Sequence, residues 1–136
     1  LSGVDFEVRR RPPWNKEPGD NWIEVQSLDE AKNVAPSNST ILLALGSQYI
    51  HLFNVRKDIF FLVRMVDEPS KSLDLPNYKL LLGRPSSDWE EEARVLKNEN
   101  ITHIICRNSG GQGAYAKIKA ARELQLPVIM VQRPKE

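Results

Sequence analysis

The sequence predicts an α/β domain of the Rossmann-like kind: three layers, with a mostly parallel sheet flanked by helices. Three observations carry this. Apolar runs of strand length recur along the chain, stretches with helical apolar spacing separate them, and glycine-bearing turns follow several of the runs. A continuous apolar run marks a strand buried on both faces, as helices on both sides of a parallel sheet require.

Trp22-Ile23-Glu24-Val25 is a short alternating strand signal. Ser27-Leu28-Asp29-Glu30 has capping-box spacing and starts a short helix that ends before Pro36. Thr40-Ile41-Leu42-Leu43-Ala44-Leu45 is the first core strand, and Gly46-Ser47-Gln48 opens a short helical stretch to about Phe53. Residues 59–66 form the second core strand, stopped near Asp67-Glu68-Pro69, and Lys79-Leu80-Leu81-Leu82-Gly83 is the third. Ser87-Asp88-Trp89-Glu90 is a second capping box, and Trp89, Ala93 and Leu96 place one apolar stripe on the helix after it. Glu90-Glu91-Glu92 reads as a solvated helix start favoured by the helix dipole. His103-Ile104-Ile105-Cys106-Arg107 is the fourth core strand. Ser109 and Gln112 have capping-box spacing for a last long helix that buries Ala114, Ile118, Ala121 and Leu124. Pro127-Val128-Ile129-Met130-Val131 is the fifth core strand.

Composition excludes several classes of function. With 19 basic and 18 acidic residues the net charge is +1, which gives no large field for nucleic acid or a membrane surface. The densest basic run, Arg9-Arg10-Arg11, reads as a solvated arm. The single cysteine, Cys106, lies in an apolar run and reads as a core residue, which fits a reducing, cytoplasmic compartment. His51 and His103 have no motif around them, and no metal-ligand set stands out. No apolar run is long enough to cross a bilayer. No nucleophile can be assembled with a base, as a hydrolase would need. The chain begins Leu1-Ser2-Gly3 without a methionine, so a piece of a longer protein is expected. Residues 1–21, rich in charge and breakers, read as an interdomain arm, and residues 22–136 as the domain. Trp14 is the exception in the arm, since a ring that size usually packs against something.

In such folds ligands bind outside the carboxyl ends of the strands, where the strand order reverses. Three turns therefore matter: Gly46-Ser47-Gln48, Gly83-Arg84-Pro85-Ser86-Ser87 and Asn108-Ser109-Gly110-Gly111-Gln112-Gly113. Each can aim backbone N–H groups of a helix start at an anion across an open cleft. The third is richest, and Arg107 before it can add a charge-assisted bond. A tight strand-to-helix turn with Ser109 as a plain N-cap explains the same residues equally well. The spacing of Gly110, Gly111 and Gly113 is not the dinucleotide fingerprint. Arg84 is either a phosphate or propionate clamp or an ordinary exposed arginine. Arg64 lies in a run that otherwise reads as buried, so it is paired, with Asp67 as one candidate, or it reaches a cleft.

At this point the residues resemble those of the precorrin-6A reductases. Arg11-Pro12-Pro13-Trp14 through Pro18-Gly19-Asp20-Asn21-Trp22-Ile23-Glu24-Val25 is similar to that family's linker. Leu45-Gly46-Ser47-Gln48 resembles its glycine turn, and Phe61-Leu62-Val63-Arg64-Met65-Val66-Asp67 its arginine strand. Leu82-Gly83-Arg84-Pro85, Arg107-Asn108-Ser109-Gly110-Gly111, Ala120-Ala121-Arg122-Glu123-Leu124 and Leu126-Pro127-Val128-Ile129-Met130-Val131 follow in order, so the likeness runs from about Arg9 to Pro134.

The resemblance implies reduction of one C=C bond of precorrin-6A, or its cobalt form, to the 6B product in cobalamin biosynthesis. It implies NADPH or NADH as hydride donor, no flavin or metal, and two Rossmann-like halves with the site between them. The N-terminal half has no counterpart here, so a fragment lacking half of its site is expected. Cofactor contacts fall on Gly46, Ser47, Gln48, Asn108, Ser109, Gly110 and Gly111, and substrate contacts on Arg64, Arg84 and Arg107. Ser47 stands where relatives often carry arginine, so a charged contact there is left open. Catalytic residues are not assigned. A non-catalytic nucleotide- or sugar-phosphate-binding module on the same fold is the alternative, and a pure scaffold domain a third reading.

Overall fold

The computed structural model describes residues 12–111 and 114–132. Six strands form one all-parallel sheet: β1 Trp22–Val25, β2 Thr40–Ala44, β3 Phe60–Met65, β4 Tyr78–Leu82, β5 His103–Arg107 and β6 Val128–Val131. Their order across the sheet is β1-β6-β5-β2-β3-β4. Three α-helices, α1 Leu28–Val34, α2 Trp89–Asn98 and α3 Ala116–Leu124, and a 3-10 helix Ser47–Phe53 connect them. The expected α/β architecture is therefore observed, with every strand parallel.

The layers follow from the two-residue period of the strands. Ile41, Leu43, Phe61, Val63, Ile105, Ile129 and Val131 point to one face, where Leu28, Ala31, Ile50 and Phe53 cover them. Leu42, Leu62, Ile104, Cys106, Val128 and Met130 point to the other, under Ala93, Leu96, Ile118 and Ala121. Cys106 is buried there as expected, and burial pushes its thiol pKa up.

Helix starts differ in how closely sequence signals locate them. Ser27 caps α1 as expected: its hydroxyl accepts from Glu30 N at 3.1 Å, and the Glu30 carboxylate reaches back to Gln26 N at 2.8 Å. The cap of α2 is Asp88, one residue later than the expected Ser87; its carboxylate accepts from Glu90 N at 3.0 Å. Two good capping side chains stand side by side, and spacing alone does not choose between them. The last helix begins at Ala116, well beyond Ser109, with Tyr115 at its N-cap and no side-chain cap bond. Ala114 therefore packs just outside the helix. Gln112 and Gly113 lie outside the described residues, as do Arg9-Arg10-Arg11 and Leu1-Ser2-Gly3.

The described part of the segment before β1 is fastened to α3. Asp20 is buried; its carboxylate accepts from Arg122 Nε at 3.0 Å and from Glu17 N at 2.8 Å. Trp14 is 8% exposed and belongs to the core on the α2/α3 face.

Candidate functional site at the sheet's carboxyl edge

The strand order places a topological switch between β2 and β5. From β2 the chain proceeds outward through β3 and β4; from β5 it proceeds the other way through β6. The two strands are neighbours, with Ala44 opposite Cys106. The turns that leave them, Gly46-Ser47-Gln48 and Asn108-Ser109-Gly110-Gly111, therefore emerge side by side where an open α/β sheet forms its ligand crevice.

The first turn opens the 3-10 helix. Gly46 is extended at φ −61°, its carbonyl accepts from Tyr49 N at 3.0 Å, and Gly46, Ser47 and Gln48 are all exposed. A Cβ on Gly46 would stand 2.6 Å from Gln48 Oε1, so a larger residue forces that amide to move. Arg107 spans the switch: it is exposed, and its guanidinium carbon lies 4.3 Å from the centroid of the Tyr49 ring. Tyr49 thus orients a cation beside both turns, a role no sequence motif announces.

In the second turn Gly110 and Gly111 are both left-handed, each at φ 72°. Glycine adopts this conformation without steric cost, so the pair is required for the turn's shape. Ser109 is exposed, whereas Asn108 is only 2% exposed. The Asn108 carboxamide is engaged with Trp14, accepting from its backbone N at 2.7 Å and donating to its carbonyl at 3.0 Å.

The arginines have separate environments. Arg64 donates through Nη1 to Glu92 Oε1 at 2.6 Å, with the two side chains 11% and 4% exposed. Its partner is Glu92 on α2 rather than Asp67. The other Glu92 oxygen accepts from Ser86 N at 3.0 Å, so this carboxylate is buried and not part of a solvated helix start. Glu92 lies three residues after Trp89 and four before Leu96, on the apolar stripe, which is the sequence signal for its burial. Arg84 is exposed and makes no ion pair or hydrogen bond with the other described residues.

Two clefts open along this edge. One of about 520 Å³ is lined by Ser47, Arg64, Met65 and Asp67. The other, of about 500 Å³, is lined by Trp14, Trp89, Gly111, Tyr115, Ala116 and Lys119. The start of α3 therefore does face open space, but through Tyr115 and Ala116 rather than through Ser109. The structure brings Ser47 and Arg64 to one cleft and Gly111 to the other, while Arg84 and Arg107 line neither.

Beneath the second cleft Lys117 is buried; its Nζ donates to Ala114 O at 2.8 Å. Burial lowers its pKa, and nearby Arg64 adds to that, while Cys106 and Glu92 oppose it. No group of three or more His, Cys, Asp or Glu among the described residues could hold a metal ion, and no described helix is long and apolar enough to cross a membrane. The donors at the switch are hydroxyl, amide, guanidinium and glycine backbone. Such groups can hydrogen-bond an anionic or hydroxyl-bearing ligand.

Comparison with known proteins agrees with this picture. The family model described as precorrin-6x reductase CbiJ/CobK matches residues 2–136. The precorrin-6A reductase of Rhodobacter capsulatus is 36% identical over 98% of this chain and 53% of its own length. That of Mycobacterium tuberculosis is 33% identical over 97% of this chain and 53% of its own length. The cobalt-precorrin-6A reductase of Priestia megaterium is 28% identical over 85% of this chain and 50% of its own length. A solved CobK precorrin-6A reductase superposes with a TM-score of 0.88 at 36% identity, over 93% of this chain and 52% of that one. The chain thus spans about half the length of the curated relatives it matches.

Proposed function

The chain belongs to the precorrin-6x reductase CbiJ/CobK family, and on that premise we infer that it is the C-terminal half of a cytoplasmic reductase acting on precorrin-6A or its cobalt form in cobalamin biosynthesis. Residues 22–136 form the Rossmann-like unit, and residues 1–21 join it to an N-terminal half that completes the site. The single observation that carries the reading is the pairing of the Gly46 and Asn108 turns at the switch between β2 and β5.

When bound, NADPH or NADH supplies the hydride that reduces a C=C bond of the macrocycle. The residues of this chain bind and orient. Ser47, Gln48 and Ser109 offer hydroxyl and amide groups to ribose and phosphate. The backbone at Gly46, Gly110 and Gly111 lets those groups approach closely, and Asn108 keeps the second turn in shape. Arg107, held over Tyr49, places a fixed cation beside both turns, where preorganised charge is most effective. Arg84 is the arginine best disposed to meet a substrate carboxylate. Arg64 contributes from within its ion pair at the cleft that it shares with Ser47. Neither nucleic acid nor a membrane has a part in this reading.

The test is turnover by the full-length protein. NADPH or NADH should be oxidised only when precorrin-6A or cobalt-precorrin-6A is present. Absence of oxidation with either tetrapyrrole overturns the assignment.

A further inference from the structure

We propose that Trp14, ahead of the first strand, is a positioning residue for the switch-point site: it sets the shape of the turn after β5 and, through it, affinity for a phosphate-bearing nucleotide. The inference rests on the functional reading above. Two hydrogen-bonded ties and two ring contacts carry it. The backbone of Trp14 and the carboxamide of Asn108 form a reciprocal buried pair, with Trp14 N to Asn108 Oδ1 at 2.7 Å and Asn108 Nδ2 to Trp14 O at 3.0 Å. A carboxamide carries a donor and an acceptor on one carbon, so it matches a peptide unit in a way a hydroxyl or carboxylate does not. The indole Nε1 donates to Gly111 O at 2.6 Å. Beyond the glycines, Tyr115 packs its ring edge-on to the indole at 5.6 Å. Lys117 holds Ala114 O at 2.8 Å while its ammonium sits 5.3 Å from the Trp14 ring centroid.

The turn is thus held by Trp14 at Asn108 and at Gly111, and Tyr115 and Lys117 pack against the same indole. This matters because Gly110 and Gly111 are the least able of all residues to define a conformation by themselves. Their left-handed geometry needs an external template, and Trp14 supplies it. Trp14 stands 94 residues from Asn108 in sequence, so the placement of the segment before β1 is read directly by the turn. An ordinary core tryptophan would leave a different mark on substitution: lost stability with ligand affinity unchanged.

The test uses Trp14→Phe in the full-length protein. Phenylalanine keeps the backbone pair with Asn108 and a ring against Tyr115, but loses the bond to Gly111 O. We expect the KM for the nicotinamide cofactor to rise about tenfold, the scale of one lost buried hydrogen bond. The kcat should stay within about twofold, as for a loss of binding that is equal in ground and transition states. The amides of Ser109 to Gly111 should exchange faster with solvent. If the unsubstituted protein turns over and folded W14F shows an unchanged KM, the positioning role is overturned and the functional reading stands. If the unsubstituted protein oxidises no nicotinamide with either tetrapyrrole, the functional reading fails first. Should W14F not fold, Tyr115→Leu, which withdraws the ring packed edge-on to the indole, is read by the same split of KM against kcat, and an unchanged KM overturns the positioning role.

Discussion

Replacing Arg64 with methionine is expected to destabilise the domain by about 3–5 kcal/mol, the cost of leaving a buried carboxylate without its partner. Glu92 is 4% exposed as a side chain, and Arg64 Nη1 is its cation at 2.6 Å. Ser86 N still donates to the other oxygen, but one amide dipole does not replace a charge. Lys117 feels the Glu92 charge, but its ammonium is committed to Ala114 O. Glu92→Gln should also be costly, because its single carbonyl oxygen cannot accept from both Ser86 N and Arg64 Nη1. Exchanging both partners together, Arg64→Met with Glu92→Leu, should recover most of the loss, since buried pairs replaced by apolar groups of similar volume are often neutral. Urea unfolding of Arg64→Met, Glu92→Leu and the double variant closes the cycle and gives the coupling. A loss below about 1 kcal/mol for Arg64→Met, with a large rise in KM for the tetrapyrrole, would instead make Arg64 a ligand-binding arginine.

The second large effect is expected at the glycine pair. Gly110 and Gly111 both have φ 72°, and the left-handed region costs a residue with a Cβ about 1–2 kcal/mol. Gly110→Ala with Gly111→Ala should therefore lose about 2–4 kcal/mol of stability if the turn keeps its shape. If the turn relaxes instead, Gly111 O leaves the indole N–H and the cofactor KM rises by more than tenfold. Unfolding and kinetics on the same preparation separate the two. A double variant with unchanged stability and unchanged KM would mean that the turn has no defined role.

Much of this was legible in the sequence, for a physical reason. Strands buried on both faces must be apolar throughout, so runs such as Thr40-Ile41-Leu42-Leu43-Ala44 mark themselves. Strand order does not, because it depends on which connections cross the sheet; only the structure brings β5 beside β2 and makes their turns neighbours. The expected start of α3 lies too early because glycines after a strand suit a helix cap and a left-handed turn equally; here Gly110 and Gly111 are left-handed and α3 begins at Ala116. Charge misled at Glu92, where an acidic run near a helix start resembled a solvated end. Its position on the Trp89 and Leu96 stripe was the better guide. Lys117 obeys the same rule, three residues before Ala120 and four before Ala121 on α3. Trp14 announced that it must pack, but its partner lies at the far end of the chain and no local pattern names it.

The central claim is that the turns after β2 and β5 hold the nicotinamide cofactor. Its most direct test is an amide-exchange footprint of NADPH on the full-length protein. The expected result is protection at Ser47, Gln48, Ser109 and Gly111, strongest when a tetrapyrrole is also bound. Cofactor that binds and turns over while leaving both turns unprotected would contradict it.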